Sequence, residues 1–392
     1  MSHVTLQVRN SNVGSSCTSL ALRYTRAFYL LVLSAASFCA LPVRASELPP
    51  GTRGWQEAER GAIRGVTVGP IESSQWPGRG YGSPYSEQLL DELVRLGVTW
   101  ISITPFGRLW SLASTDIEPS FEASHADNRQ AVARMIAQAH ARGLKVLLIP
   151  HLWVETGGWR GEIDPGSAEG WQRYQRSYRT FVLGWADVAA RSGADAFSIG
   201  VECKSWSGRF APYWRGLIRA VRARFSGLLT YSANWDEAEH VVFWEQLDLV
   251  GINAFYPLAT HGSARYDEYV EGARRARDAV ATLATTHERP VLFVEVGYTT
   301  RKDAAVEPWL WPDDMSAVVY DEDEQARALA AVLEVFVPEP WFAGLFVWRY
   351  YADLDDVSQE APWGFSPHAK RAEEVLEQAF HAAWGSDPAR KY

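Results

Sequence analysis

The sequence predicts an α/β fold, a (β/α)8 TIM barrel forming a single domain after an N-terminal leader. Short apolar runs rich in β-branched residues recur along the chain, amphipathic helical stretches separate them, and the alternation repeats eight times. Continuous apolar strands indicate a parallel sheet covered on both faces, and eight βα units close such a sheet into a barrel. The 392 residues, 47% of them hydrophobic, supply enough apolar surface for that core. No repeat, linker or low-complexity tract marks a second domain.

Arg64–Pro70 is the first strand and Gly69-Pro70 ends it; an aromatic loop with Trp76, Tyr81 and Tyr85 follows. Ser83-Pro84 opens a helix, Leu89, Leu90, Leu93, Val94 and Leu96 form its buried stripe, and Gly97 closes it. Val98–Thr104 is strand two, halted by Pro105, with Arg108 and Trp110 in the loop beyond. Asp127 is the expected cap of the next helix, which Arg142-Gly143 ends. Strand three, Leu144–Pro150, leads to His151, Trp153 and Glu155. A helix over 167–191 precedes strand four, Ala196 to Val201, which stops at Glu202.

A helix over 212–225 leads to strand five, Leu228–Asn234, and Leu247–Tyr256 reads as strand six. A helix over 266–286 precedes strand seven, Pro290–Gly297, which carries Glu295 near its end. A loop with Trp309 and Trp311, a helix over 323–336, and strand eight, Ala343–Trp348, follow; Ser366-Pro367 is expected to open the last helix.

Residues 1–46 read as a signal peptide or targeting leader, leaving 47–392 as the barrel domain. Arg23 and Arg26 precede an apolar run from Ala27 to Leu41, and Val43-Arg-Ala45 resembles a cleavage site. The run is too short for a spanning helix, so stable membrane insertion of the mature chain is not expected, and the protein is placed outside the cell or in the periplasm and envelope. Cys203 is the one cysteine after the leader, which rules out an intrachain disulfide. The net charge of −9 and the lack of a basic stripe speak against nucleic acid. The 18 tryptophans are abundant enough to suggest flat apolar faces for sugar rings as well as core filling. A monomer is expected.

In a (β/α)8 barrel the reactive groups lie where strands end. The candidates are Glu72, Arg108, His151, Trp153, Glu155, Glu202, Asn234, Trp235, Asp236, Asn253, Tyr256, Glu295, Tyr298, Trp348 and Asp353. Glu202 and Glu295 stand apart because each follows an apolar run, where an unpartnered carboxylate is costly. Two carboxylates across a cavity suit glycoside hydrolysis; a structural ion pair is the competing account. Tyr256 is placed to orient Glu295, and Trp348 to floor a sugar site. No His-x-x-x-His spacing, phosphate-binding glycine motif or Gly-x-Ser-x-Gly is present, so neither metal nor other cofactor is expected.

The strand-four and strand-seven glutamates, Arg64-Gly-Val-Thr67, Gly251-Ile-Asn-Ala-Phe-Tyr-Pro257 and Val347-Trp348 together resemble the clan A retaining glycoside hydrolases, most closely the family 113 β-mannanases. The resemblance spans roughly residues 60 to 385. It implies a β-1,4-mannan or related polysaccharide or oligosaccharide as substrate, Glu202 as acid/base, Glu295 as nucleophile, Tyr256 as the tyrosine holding that nucleophile and Trp348 beneath the sugar. The clan usually has Asn before the acid/base to contact the sugar 2-hydroxyl; Val201 stands there, and Asn234, Asn253 and His151 are the candidate replacements. Arg108 and Trp153 complete the expected substrate-binding set. The alternatives are the same chemistry on another β-glycan, and a glycan-binding barrel without catalysis.

Overall fold

The structure, a computed structural model, describes residues 62–382 apart from 70–73, 75, 313–314, 356–359 and 361. The leader, Glu72, and Asp313 and Asp314 lie outside the described residues.

Eight parallel strands close a barrel: β1 (Ile63–Gly69), β2 (Trp100–Ile103), β4 (Lys145–Leu148), β6 (Ala196–Val201), β7 (Leu228–Asn234), β8 (Val250–Asn253), β9 (Val291–Val296) and β10 (Phe342–Tyr351). The ring closes where Ile63 of β1 pairs with Gly344 of β10. Gly344 sits at φ 135°, and a Cβ there would drive into the Ile63 carbonyl, so only glycine allows that approach. Inside, Ile63, Trp100, Leu147, Leu249, Val294 and Phe346 fill the lumen, so the barrel is a packed core and not a pore.

The remaining two strands are a finding the sequence pattern did not give. After Pro105 and Pro150 the chain resumes as β3 (Phe106–Leu109) and β5 (His151–Val154), a small parallel sheet beyond the barrel rim. Proline removes a ladder donor and ends the barrel strand, but the alternating residues behind it still pair.

Helices α1 (Pro84–Arg95), α2 (His125–His140), α3 (Ala168–Ser192), α4 (Lys204–Ser207), α5 (Ala211–Arg222), α6 (Tyr266–His287), α7 (Glu322–Phe336) and α8 (Arg371–His381) lie between strands. Side-chain caps start several: Ser83 accepts from Ser86 N at 3.2 Å, and Ser167 from Gly170 N at 3.0 Å. At α2 the expected cap is corrected. Ser124 Oγ accepts the Asp127 N–H at 3.1 Å, so the cap lies three residues earlier and Asp127 falls in the first turn. Nor does Ser366-Pro367 open the last helix. Lys370 N donates to Pro367 O across a turn, Ala369 sits at φ 55°, and α8 starts at Arg371. Strand six is shorter than expected, Val250–Asn253; just before it the Asp248 carboxylate accepts Leu229 N and Arg222 Nη2.

Candidate active site

Glu202 and Glu295 reach one pocket because strand alternation breaks at each of them. In a regular strand, successive side chains point to opposite faces. Val201 packs in the lumen, and Cys203 packs in the outer core between barrel and helices. Phe197 and Ile199 also pack outward and Ala196 inward, so Val201 breaks the pattern: the β6–β7 register slips between Ser198 and Val201, and the chain turns back at Glu202. That residue has φ 46°, a left-handed conformation costing about 1–3 kcal/mol for a non-glycine. The same reversal occurs on β9, where Val294 faces the lumen and Val296 the outer core. The β8–β9 register slips there, pairing Ile252 with Phe293 but Asn253 with Glu295. A bulge of this kind re-aims a side chain, and it turns Glu295 into the barrel mouth.

Both carboxyls are fully buried. Asn253 Nδ2 donates to Glu202 Oε1 at 2.5 Å, and Arg160 Nη1 stands 3.9 Å from Glu202 Oε2. His151 Nε2 lies 3.5 Å from Glu295 Oε1. Burial raises the pKa of each acid, but their neighbours differ. Glu202 is pushed well above the carboxylate range by burial and then by the negative charge of Glu295, with Glu237 adding to it. Glu295, pushed up to about 8 by burial, is pulled back by Arg160, Arg349 and the Asn253 amide. Burial thus raises both carboxyls, and the negative charge of one opposes ionisation of the other, so the pair favours holding a proton. His151 is held neutral by burial and by the same two arginines.

Trp348 lies in the same pocket, its ring stacked on His151 with centroids 6.2 Å apart at 19°. Phe255 and Phe365 support it. Asn253 and His151 adjoin the two acids. Asn234 is turned aside, its Nδ2 donating to Asp236 Oδ1 at 2.6 Å. Arg108 and Trp153 lie further out on the small sheet. Arg108 Nε pairs with Glu155 Oε1 at 2.6 Å, and Trp153 is buried with Phe106 and Phe121. Neither is shown in contact with the acids.

The hydrogen bond expected from Tyr256 to Glu295 is not formed among the described residues. Neither oxygen of Glu295 has a hydrogen-bond partner among the described residues. The Tyr256 ring instead packs on Trp235 and Phe293, with its hydroxyl raised by Asp236 and Glu239 as well as by burial. Cys203, buried in the outer core, is no nucleophile for this pocket.

Sequence reasoning missed Arg160 and Arg349. Arg160 follows the small sheet in a short 3-10 turn, its Nε donating to Leu152 O at 2.8 Å; nothing in a loop arginine advertises burial. Arg349 was legible in part, since β10 continues past Trp348 to Tyr351 and a charged residue inside a strand needs a partner. Its guanidinium donates to Tyr351 Oη and lies over the Trp348 ring. Among the described residues no group of three His, Cys, Asp or Glu is gathered as metal ligands are.

Two buried acids converging at the strand-end mouth of a closed (β/α)8 barrel define the class of the glycoside hydrolases. The sequence model of Glycoside Hydrolase Family 113 matches residues 75–369. The chain belongs to that family and is a glycoside hydrolase. It is similar to the GH113 β-mannanase AaManA from Alicyclobacillus acidocaldarius, solved in complex with ManMIm, at 29% identity and TM-score 0.69 over 82% of this chain and 97% of that one. A GH113 β-1,4-mannanase shares 22% identity, TM-score 0.69, over 82% and 99%. A family 5 mannosidase from Rhizomucor miehei shares the fold at 10% identity, TM-score 0.59, over 81% and 92%. No curated protein matches the chain.

Proposed function

We propose that this protein hydrolyses β-1,4-linked mannan or manno-oligosaccharides with retention of configuration. Glu295 attacks the anomeric carbon to form a glycosyl-enzyme as Glu202 gives its proton to the departing oxygen. Glu202 then takes a proton from water, and the hydroxide displaces Glu295. The observation carrying this assignment is the difference in the surroundings of the two acids: Arg160 acts on both, but Glu237 adds a second negative charge near Glu202 whereas Arg349 adds a second positive charge near Glu295. The polarity matches what a proton donor and a nucleophile require. Support for mannan comes from the likeness to a β-mannanase at 29% identity.

With Val201 packed in the lumen, Asn253 and His151 are the side chains beside the acids to meet the 2-hydroxyl. Residues 47–392 form the catalytic domain, exported by the leader at 1–46 and acting as a monomer. Among the described residues no helix is long and apolar enough to cross a membrane. The test is proton NMR of the first product formed from β-mannan, alongside a panel of other β-glycans. The β-anomer appearing first from mannan is the expected result. An α-anomer removes the double displacement, and cleavage of another β-glycan alone removes mannan. N-terminal sequencing of the mature chain tests the leader.

A further inference from the structure

We propose that Tyr231 and Glu237 form a clamp outside the barrel wall that holds Glu202 in its reversed conformation and keeps it aimed at the leaving oxygen. The proposal rests on Glu202 being the acid/base.

Tyr231 lies on β7, its ring in the outer core beside Phe243 and Trp244, on the opposite side of the wall from the acids. Its hydroxyl accepts the Cys203 N–H at 3.0 Å and donates to Glu237 Oε1 at 2.6 Å. Cys203 is the residue directly after the strained Glu202. The N–H of Glu202 itself donates to Ser232 O at 2.7 Å. Both peptide groups flanking the reversal are therefore tied to β7, one by backbone and one by a side chain.

Glu237 is itself fixed. Its Oε2 accepts the Asn234 N–H at 3.2 Å, and its own N–H donates to Asn234 O at 3.0 Å, closing a turn at the end of β7. Ser207, at the end of α4, also hydrogen-bonds this carboxylate, and the Ser207 N–H donates to Cys203 O at 2.8 Å. The Tyr231 hydroxyl, the Ser207 side chain and the Asn234 N–H all donate to the carboxyl, which burial raises to about 7, so Glu237 is the acceptor end of a chain running Cys203 N–H, Tyr231 O–H, Glu237. A buried acid at the end of a strand-turn, touching no substrate, is otherwise an expensive ornament. As the terminus of this chain it polarises the tyrosine hydroxyl and strengthens the bond that pins the reversal. Tyr231 and Glu237 are positioning residues, since they act through the backbone of Glu202.

The experiment compares kcat/KM on the oligosaccharide the enzyme cleaves, whose leaving oxygen must be protonated, with that on its dinitrophenyl glycoside, whose phenolate leaves unaided. Misplacement of a catalytic group by a fraction of an ångström to 1 Å costs up to about 100-fold. Tyr231→Phe should therefore lower kcat/KM about 10- to 100-fold on the oligosaccharide, and change it less than about twofold on the aryl glycoside. Glu237→Gln, which keeps an acceptor for Tyr231, should show the same split with a smaller loss, and provides the test should Tyr231→Phe not fold. Equal losses on both substrates, or none on either, overturn the clamp. Glu202→Ala is the control. If it shows no split between the substrates, the acid/base assignment itself fails; if it does and the clamp variants do not, only the clamp fails.

Discussion

Asn253 donates its amide to Glu202 Oε1 at 2.5 Å while its backbone pairs with Glu295 across the β8–β9 ladder. One residue thus links the two acids, and the loss of its amide tests how closely they depend on each other. A hydrogen bond to a charged or strongly polar partner is worth about 1.5–3 kcal/mol. Asn253→Ala should lower kcat/KM roughly ten- to hundredfold, measured on mannan by release of reducing sugar. Unchanged kinetics would separate Asn253 from the reaction.

Replacement of either acid goes further. Glu295→Gln and Glu202→Gln should each lower turnover by about two to four orders of magnitude, the range for removal of acid–base or nucleophilic groups. The fold should survive, because each change removes a carboxylate that burial disfavours. Reducing-sugar release with a thermal melt on the same preparation reads both effects, and full activity in either variant would release that residue from its role.

The raised acids also fix a sign for stability against pH. The Glu295 carboxyl goes from its ordinary 4.5 to about 8 in the folded chain, so between those values the folded state holds the proton more tightly than the unfolded one. Stability from this group is present below about pH 4.5 and is lost as pH rises through about 8. His151, lowered by burial, acts oppositely and destabilises the fold as pH falls below 6.5. Subtracting the Tm–pH curve of Glu295→Gln from that of wild type isolates the first effect: the wild type should fall more steeply across 4.5 to 8. Parallel curves would contradict it.

Tyr256→Phe should leave kcat within about twofold, since its hydroxyl is not bonded to Glu295 and faces Asp236 and Glu239; surface changes away from reacting groups are small. A hundredfold loss of kcat on mannan would restore the role that the family resemblance implied for it.

Gly251 tests the barrel wall itself. A Cβ there would collide with the Tyr231 carbonyl and Thr230 Oγ1 on the neighbouring strand. Gly251→Ala should destabilise the protein by about 1–3 kcal/mol through overpacking, read from the urea midpoint at unchanged m-value. An unaltered midpoint would show that the strands can part at no cost.

The sequence by itself determined the barrel and the two acids near strand ends, because short continuous apolar runs and helical stripes are local signals. It left the small β3–β5 sheet unseen, since prolines at 105 and 150 read as stops although pairing resumes behind them. It could not reveal Arg160, whose burial depends on loop packing, nor the packing of Tyr256 on Trp235 and Phe293. Above all it could not determine that Glu202 and Glu295 face one another. Strict alternation from Val294, in the lumen, would send Glu295 toward the helices, and Glu202 keeps the inward parity of Ala196 only because the slip before Val201 and the turn at Glu202 cancel. The φ of 46° at Glu202 and the register slip beside Glu295 leave both acids turned inward. Those irregularities exist because neighbouring strands supply hydrogen bonds that hold them, and such partners lie far away along the chain.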